Sequence, residues 1–331
     1  MKALLTKAVG GPETLVLEDL PTPTPAAGEV VVDIAACAIN YPDTLMIRDL
    51  YQFRPERPYS PGGEFSGTVS AVGEGVSRWK VGDRVLASTG SGALREQIAV
   101  AADRLFEVPA GIDLVQASAL LMTYGTTIHA LKDRGDIEAG NTVLVLGAAG
   151  GVGLSAVELA KAYGARVVAA VSSEDKAAVA RKAGADDVVI YPREDMDKDA
   201  SKALAQSFKD AVGPQGADIV YDIVGGQYSE PALRAIAWEG RFLVIGFPAG
   251  IARMPLNLTL LKSCDIRGVF WGAFVAREPQ RNGANIEELF ALWQDGRINP
   301  LISQTYPLDR AHEAIAALEN RQAIGKLVVT M

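Results

Sequence analysis

The sequence predicts an α/β protein, a doubly wound parallel sheet set into a mostly β, barrel-like domain. Three observations carry this. To about residue 120 the chain reads as short strands broken by glycine: EVVVDIAACAI (Glu29 to Ile39), GEFSGTVSAVG (Gly63 to Gly73), GDRVLAS and LREQIAV. Many short strands with glycine turns suit a small barrel. Further on, the near-continuous apolar runs VLVLGA, RVVAAV, DDVVIY, ADIVYDIVG and RFLVIG alternate with helical patterns. Strands of that kind are buried on both faces, as in a parallel sheet covered by helices. Finally, NIEELFALWQDG and LDRAHEAIAALENR read as helices, and GKLVVTM closes as a strand able to rejoin the first domain.

Taken in order, LPTPTPAAGE is a proline-rich surface connection between the first strands. NYPDTL reads as an Asx-type turn opening a helix, with Asn40 at its start and Pro42 in the first turn. A helix from about Gly153 to Tyr163 follows VLVLGA, and another around Ser229 to Trp238 precedes RFLVIG.

Composition narrows the function. The 331 residues carry a net charge of −8, which argues against a nucleic-acid partner. No apolar run approaches the length of a membrane span. The start, MKALLTKAVGG, lacks the apolar core of a signal peptide, so a cytoplasmic protein is expected. Cys37 and Cys264 are the only cysteines, and His129 and His312 the only histidines. Structural zinc takes about four such ligands and catalytic zinc about three, so no metal and no disulfide framework is expected. Both cysteines read as small buried hydrophobes.

LGAAGGVG (Leu146 to Gly153) leaves a strand and opens a helix. Small residues there let the backbone approach a pyrophosphate, whose charge the helix N-terminus meets. Ala149, Gly150, Gly151 and Val152 form the turn, a variant of the GxGxxG spacing. The next strand ends at Val171, followed by Ser172 and Ser173 where an NAD site often has a carboxylate. Hydroxyls and Lys176 suit the 2′-phosphate of NADP. Glu174 and Asp175 must then turn outward, so NAD and NADP both stay open on the residues alone.

AACAINYPDTLMIRDLY, PGGEFSGTVSAVGEGVSRWKVGDRV, GTTIHAL, VLVLGAAGGVG, KAGADDVVIY and GKLVV occur in this order over nearly the whole chain. Together they resemble the zinc-free quinone oxidoreductase branch of the medium-chain dehydrogenase/reductase superfamily. The resemblance implies a GroES-like, partly open barrel catalytic domain over residues 1–120 and 263–331, and a Rossmann dinucleotide-binding domain over residues 121–262. It implies a homodimer joined through the edge of the Rossmann sheet, with DIRGVFWG (Asp265 to Gly272) as the edge element. Zinc-dependent members carry a catalytic cysteine where this chain has Asn40, and Gly-His-Glu where it reads Gly63 and Glu64 after Gly62.

The cofactor implied by the resemblance is NADPH. Its 2′-phosphate is expected against Ser173, Lys176, Tyr191 and Arg321, and its nicotinamide near Thr127, Gly246, Phe247, Phe270 and Trp271. Without a metal, the acceptor must take hydride readily, as quinones and activated enones do. Asn40 reads either as a helix cap or as an amide donor to a developing oxyanion. Tyr41 or Tyr51 suits a quinone oxygen, with Asp43 as an orienting partner. Arg54 and Arg57 in DLYQFRPERPY would suit an acid or CoA-ester substrate. Three functions therefore stay open: NADPH:quinone oxidoreductase, NADPH-dependent reductase of activated C=C bonds, and NADPH-binding structural protein.

Overall fold

The computed structural model describes residues 1–320 and 323–331. It divides into two compact units, Met1–Met122 with Pro300–Met331, and Thr123–Asn299.

The first unit opens with an antiparallel pair, β1 (Lys2–Leu5) and β2 (Val16–Asp19). It continues through β3 (Glu29–Ala38), β4 (Glu64–Val72), β5 (Arg84–Ser88), β6 (Gln97–Ala101) and β7 (Phe106–Glu107). Two register shifts between β3 and β4 bend this antiparallel pair, as bulges do in curved sheets. Gly67 lies where the strands press closest: a Cβ there would stand 2.1 Å from the Asp33 carbonyl oxygen.

The second unit holds one parallel sheet of β8 (Thr142–Leu146), β9 (Arg166–Val171), β10 (Asp187–Ile190), β11 (Ala217–Asp222), β12 (Ile236–Val244) and β13 (Asp265–Gly268). The order β10-β9-β8-β11-β12-β13 reverses direction beside β8, which marks a ligand crevice at the strands' carboxyl ends. Leu144, Val168, Val220 and Phe242 are fully buried or nearly so beneath Phe208 of the helix Lys198–Val212. The chain then returns to the first unit as β14 (Ile302–Pro307) and β15 (Lys326–Thr330), giving a sheet ordered β14-β15-β3-β4-β5-β7 with β6 on β3. Val32, Phe65, Val85, Leu94 and Val329 lie in its core.

Two expectations need correction. The boundary expected at residue 262 falls instead at Asn299. The four residues of β13 extend the parallel sheet from β12, and the helix Pro279–Gln294 is tied to the same unit by Lys132 to Glu288 and by Tyr163 to Glu288 at 2.7 Å. The resemblance already put DIRGVFWG at the edge of this sheet, and the boundary at residue 262 left that strand outside the unit whose sheet it extends. The helix expected to reach Trp238 stops at Arg234, and Trp238 lies in β12. Among the described residues no helix is long and apolar enough to cross a membrane.

Candidate functional site

In the second unit, β8 runs through the glycine turn into the helix Gly151–Ala162. Gly147 has a left-handed φ of 76°, and a Cβ at Gly153 would stand 2.2 Å from the Gly147 carbonyl oxygen. These two glycines are required by the fold itself. Gly150, the residue capping the helix, is different. Its φ of −79° suits any residue, and a Cβ there would meet nothing nearer than the Gly147 oxygen at 3.8 Å. The protein's own packing does not demand glycine at 150, and the space above it lies at the amide end of a helix.

At the end of β9, Ser173 caps the helix Glu174–Lys182, its Oγ accepting the Lys176 backbone N–H at 3.4 Å. Glu174 and Asp175 are exposed, and Glu174 faces Arg181 at 3.8 Å. Tyr191 follows the neighbouring strand β10, and its N–H donates to the Val171 carbonyl at 2.9 Å. Its ring packs on Tyr228 with centroids 4.7 Å apart, and the Tyr228 hydroxyl donates to the Pro192 carbonyl at 2.8 Å. Ser173, Lys176 and Tyr191 therefore gather at the ends of adjacent strands. Arg321 lies outside the described residues.

The expected nicotinamide-side residues divide. Thr127 is fully buried, and its hydroxyl is shared with Ser155 at 2.7 Å and Tyr221 at 2.9 Å. It binds the glycine-turn helix to β11 through both of those contacts. Trp271 is also buried. Its Nε1 donates to Asn282 Oδ1 at 3.1 Å, and its ring lies so close to Gly125 that a Cβ there would approach to 2.9 Å. Phe270 and Phe247 are exposed, 61% and 50%. Gly246 and Phe247 follow β12 in a loop against which Gly225 and Gly226 are pressed with positive φ. Asp222, which sequence reasoning missed, holds the facing segment after β11 that carries those two glycines. Its buried carboxylate accepts N–H groups from Val224 and Gly225 and the Ser229 hydroxyl.

In the first unit, Asn40 caps the helix Tyr41–Met46. Its side chain is wholly engaged. The amide Nδ2 donates to the Ala38 carbonyl at 3.2 Å and to Glu64 Oε1 at 2.9 Å, while Oδ1 accepts from Lys326 Nζ at 2.7 Å. Both amide protons are engaged within the protein, and Asn40 stands at the helix cap, one of the two places the sequence allowed it. Asp43 is fully buried and accepts the N–H of Asn40 at 2.8 Å and of Gly62 at 3.1 Å. Burial pushes its pKa up to about 6 in spite of those bonds. Glu64 Oε2 accepts the Met122 N–H at 2.8 Å. Burial, with the charges of Asp43 and Glu64, holds the Cys37 thiol well above its ordinary range, so it is inert.

Tyr51 is half-buried, and burial together with the Asp43 charge raises its pKa. Tyr41 is 38% exposed. Arg57 is committed to Asp49 at 2.7 Å and to the Ile47 carbonyl at 3.1 Å, leaving Arg54 as the exposed cation of that loop. Lys326 was not foreseen, since 262 residues separate it from Glu64. Among the described residues no three His, Cys, Asp or Glu side chains gather to hold a metal.

Residues 26–110 match the family model of an alcohol dehydrogenase GroES-like domain, and residues 151–288 that of a zinc-binding dehydrogenase. The chain is 35% identical over 320 residues to quinone oxidoreductase-like protein 2 of Bos taurus, covering 96% of this chain and 89% of that one. It is 31% identical to the quinone oxidoreductase of Sus scrofa, over 100% of this chain and 98% of the other. Among solved structures, Escherichia coli quinone oxidoreductase complexed with NADPH superposes with a TM-score of 0.90 at 31% identity, covering both chains fully.

Proposed function

The chain belongs to the quinone oxidoreductase branch of the medium-chain dehydrogenase/reductase superfamily, and from that premise we propose that it is an NADPH-dependent oxidoreductase reducing an uncharged quinone. Gly150 carries the reading. It is a glycine that neither backbone strain nor packing requires, at a helix N-terminus that follows a strand. Glycine is only a modestly better helix cap than alanine, and close approach of a pyrophosphate is the stronger reason for it. The residues present fit NADPH: Gly150, Gly151 and Val152 at the pyrophosphate, and Ser173, Lys176 and Tyr191 at the 2′-phosphate. The relative of known structure from E. coli is complexed with NADPH.

Bound NADPH supplies the hydride. This chain's residues bind, orient and exclude water. Thr127, Ser155 and Tyr221 hold the pyrophosphate helix against the sheet. Phe247 and Phe270 offer exposed rings on the nicotinamide side. On the substrate side, Tyr51 is protonated at neutral pH, as an ordinary phenol is, and its raised pKa only reinforces this. It therefore orients a quinone oxygen as a hydrogen-bond donor.

The substrate class follows from the arginines. An acid or CoA ester needs an available positive charge, and Arg57 is neutralised by Asp49. Arg54 alone leaves a weak, screened attraction. The exposed Leu256, Leu260, Leu261 and Phe270 flank the sheet-edge strand β13, and we assign them to contact with a second copy, making a cytoplasmic homodimer.

The test is initial-rate oxidation of NADPH and NADH with a quinone, a simple enone and an acrylate-type acid, each with and without a chelator. Quinone turnover with NADPH, indifferent to chelation, is expected. Enone turnover without quinone turnover moves the assignment to C=C reduction. Tight NADPH binding without turnover of any acceptor leaves a binding protein.

A further inference from the structure

The zinc-binding family description raises the question of what occupies the centre of the Asn40 cluster. The residues do not fit zinc. Glu64 Oε1 already accepts from Lys326 and Asn40, and Asn40 stands where a thiolate would be needed. A protein cation is there instead. Lys326 is 5% exposed, and its three N–H donors meet three oxygens: the Ile39 carbonyl at 3.0 Å, Asn40 Oδ1 at 2.7 Å and Glu64 Oε1 at 3.1 Å. No donor is left over.

We propose that Lys326 is a positioning residue: a built-in cation that holds the Asn40–Asp43 turn, and so Tyr41, in one arrangement on the substrate side of the first unit. The proposal rests on the quinone-reductase reading for what that side does. Its mechanical part stands on geometry alone.

An asparagine amide has two flips, and the groups around it decide between them. Lys326 offers only donors, so it selects the flip that puts Oδ1 on the ammonium and Nδ2 on Glu64 and Ala38. Asn40 caps the helix that begins at Tyr41. Its backbone N–H is gripped by Asp43 Oδ2, and Asp43 Oδ1 takes the Gly62 N–H, two residues before Glu64. Lys326, Asn40 and Glu64 thus close a ring of hydrogen bonds, and Asp43 ties Asn40 to Gly62, two residues along the backbone from Glu64. A closed ring with its donors and acceptors matched is rigid in a way that a single ion pair is not.

Stability by itself is a weak reason for the pair, because a buried ion pair often does no better than apolar residues of the same volume. Fixing a conformation is the better-supported use.

The experiment compares wild type, Lys326→Met and the double variant Lys326→Met with Glu64→Gln. Three readouts are taken: thermal unfolding, NADPH affinity by fluorescence, and hydrogen exchange of the Asn40 side-chain amide by NMR. Quinone kcat/KM is the fourth. Lys326→Met alone is expected to unfold at lower temperature, because Glu64 loses its buried partner. The double variant is expected to recover most of that loss and keep NADPH affinity within about twofold. In it, Asn40 amide exchange should still be at least about tenfold faster, and quinone kcat/KM at least about tenfold lower. A double variant with wild-type amide protection and wild-type kcat/KM overturns the proposal and leaves the pair merely structural. If wild type reduces no quinone, the functional reading fails, and the amide exchange still decides whether Lys326 holds Asn40.

Discussion

Substituting alanine at Gly150 and, separately, at Gly153 tests the reasoning about the nucleotide turn, because the two positions should fail in opposite ways. At Gly150 the added Cβ finds its nearest protein atom 3.8 Å away, at a φ of −79°. The expected cost to folding is that of a poorer helix cap, about 0.5–1 kcal/mol, a fall in Tm of about 1–4 °C. The same Cβ occupies the path by which a pyrophosphate approaches the helix. Misfit of that size costs about 1–3 kcal/mol, a Kd for NADPH raised roughly 5- to 150-fold. At Gly153 the Cβ would stand 2.2 Å from the Gly147 oxygen and 2.7 Å from the Ala148 Cα, both backbone atoms. Neither can swing aside, so the turn must break, at a cost above about 3 kcal/mol. Thermal unfolding followed by circular dichroism, with NADPH titration by fluorescence, separates the two. A Gly150→Ala protein that binds NADPH as wild type does would falsify the ligand-approach argument. A Gly153→Ala protein as stable as wild type would refute the packing argument.

Other expectations follow from the same geometry. Lys176→Ala should raise the KM for NADPH about tenfold or more and leave that for NADH nearly unchanged, since the loss is one charge-assisted contact to the 2′-phosphate; equal effects on both would remove the basis for cofactor preference. Asp43 has a folded-state pKa of about 6 against an ordinary 3.8, so folding favours its protonated form. That contribution is present below pH 4 and fades as pH rises through 6. The stability of wild type relative to Asp43→Asn should therefore decline by roughly 2 kcal/mol between pH 4 and 7, and a rise over that range contradicts the burial argument. Tyr221→Phe removes only the hydroxyl that meets Thr127; a loss of about 1 kcal/mol in stability is expected, checked by denaturant unfolding. Leu260→Asp, on the exposed apolar surface near β13, should shift the protein from dimer to monomer in light scattering, and an unchanged mass assigns that surface elsewhere.

The parts of the molecule legible in its sequence are those governed by local spacing. A run of apolar residues, a glycine turn and an amphipathic segment announce strand, turn and helix within thirty residues or so, and Ser173 at the end of β9 is readable in the same way. Asn40 at a helix start was equally legible, because Pro42 and Asp43 sit beside it. What stayed hidden depends on partners remote in the chain. Nothing near Asn40 signals that its side chain meets Glu64 and Lys326. Nothing near Thr127 signals Tyr221. The edge place of β13 was legible, but not that the unit runs on to Asn299, because the helix Pro279–Gln294 is tied in by Lys132 and Tyr163, remote in the chain.

The pairing of Glu64 with Lys326 across 262 residues has a consequence for the birth of the protein. At a synthesis rate of about 5–20 residues per second, Glu64 leaves the ribosome roughly 10–50 s before its lysine exists. Until then the strands that will bury it carry an uncompensated carboxylate, and closing over it is costly. The parallel-sheet unit, complete by Asn299, has its full complement of strands earlier. The order of assembly is thus written into the position of one cation: the inserted unit is free to fold first, and the barrel-like unit is sealed later, by a strand that emerges after Asn299.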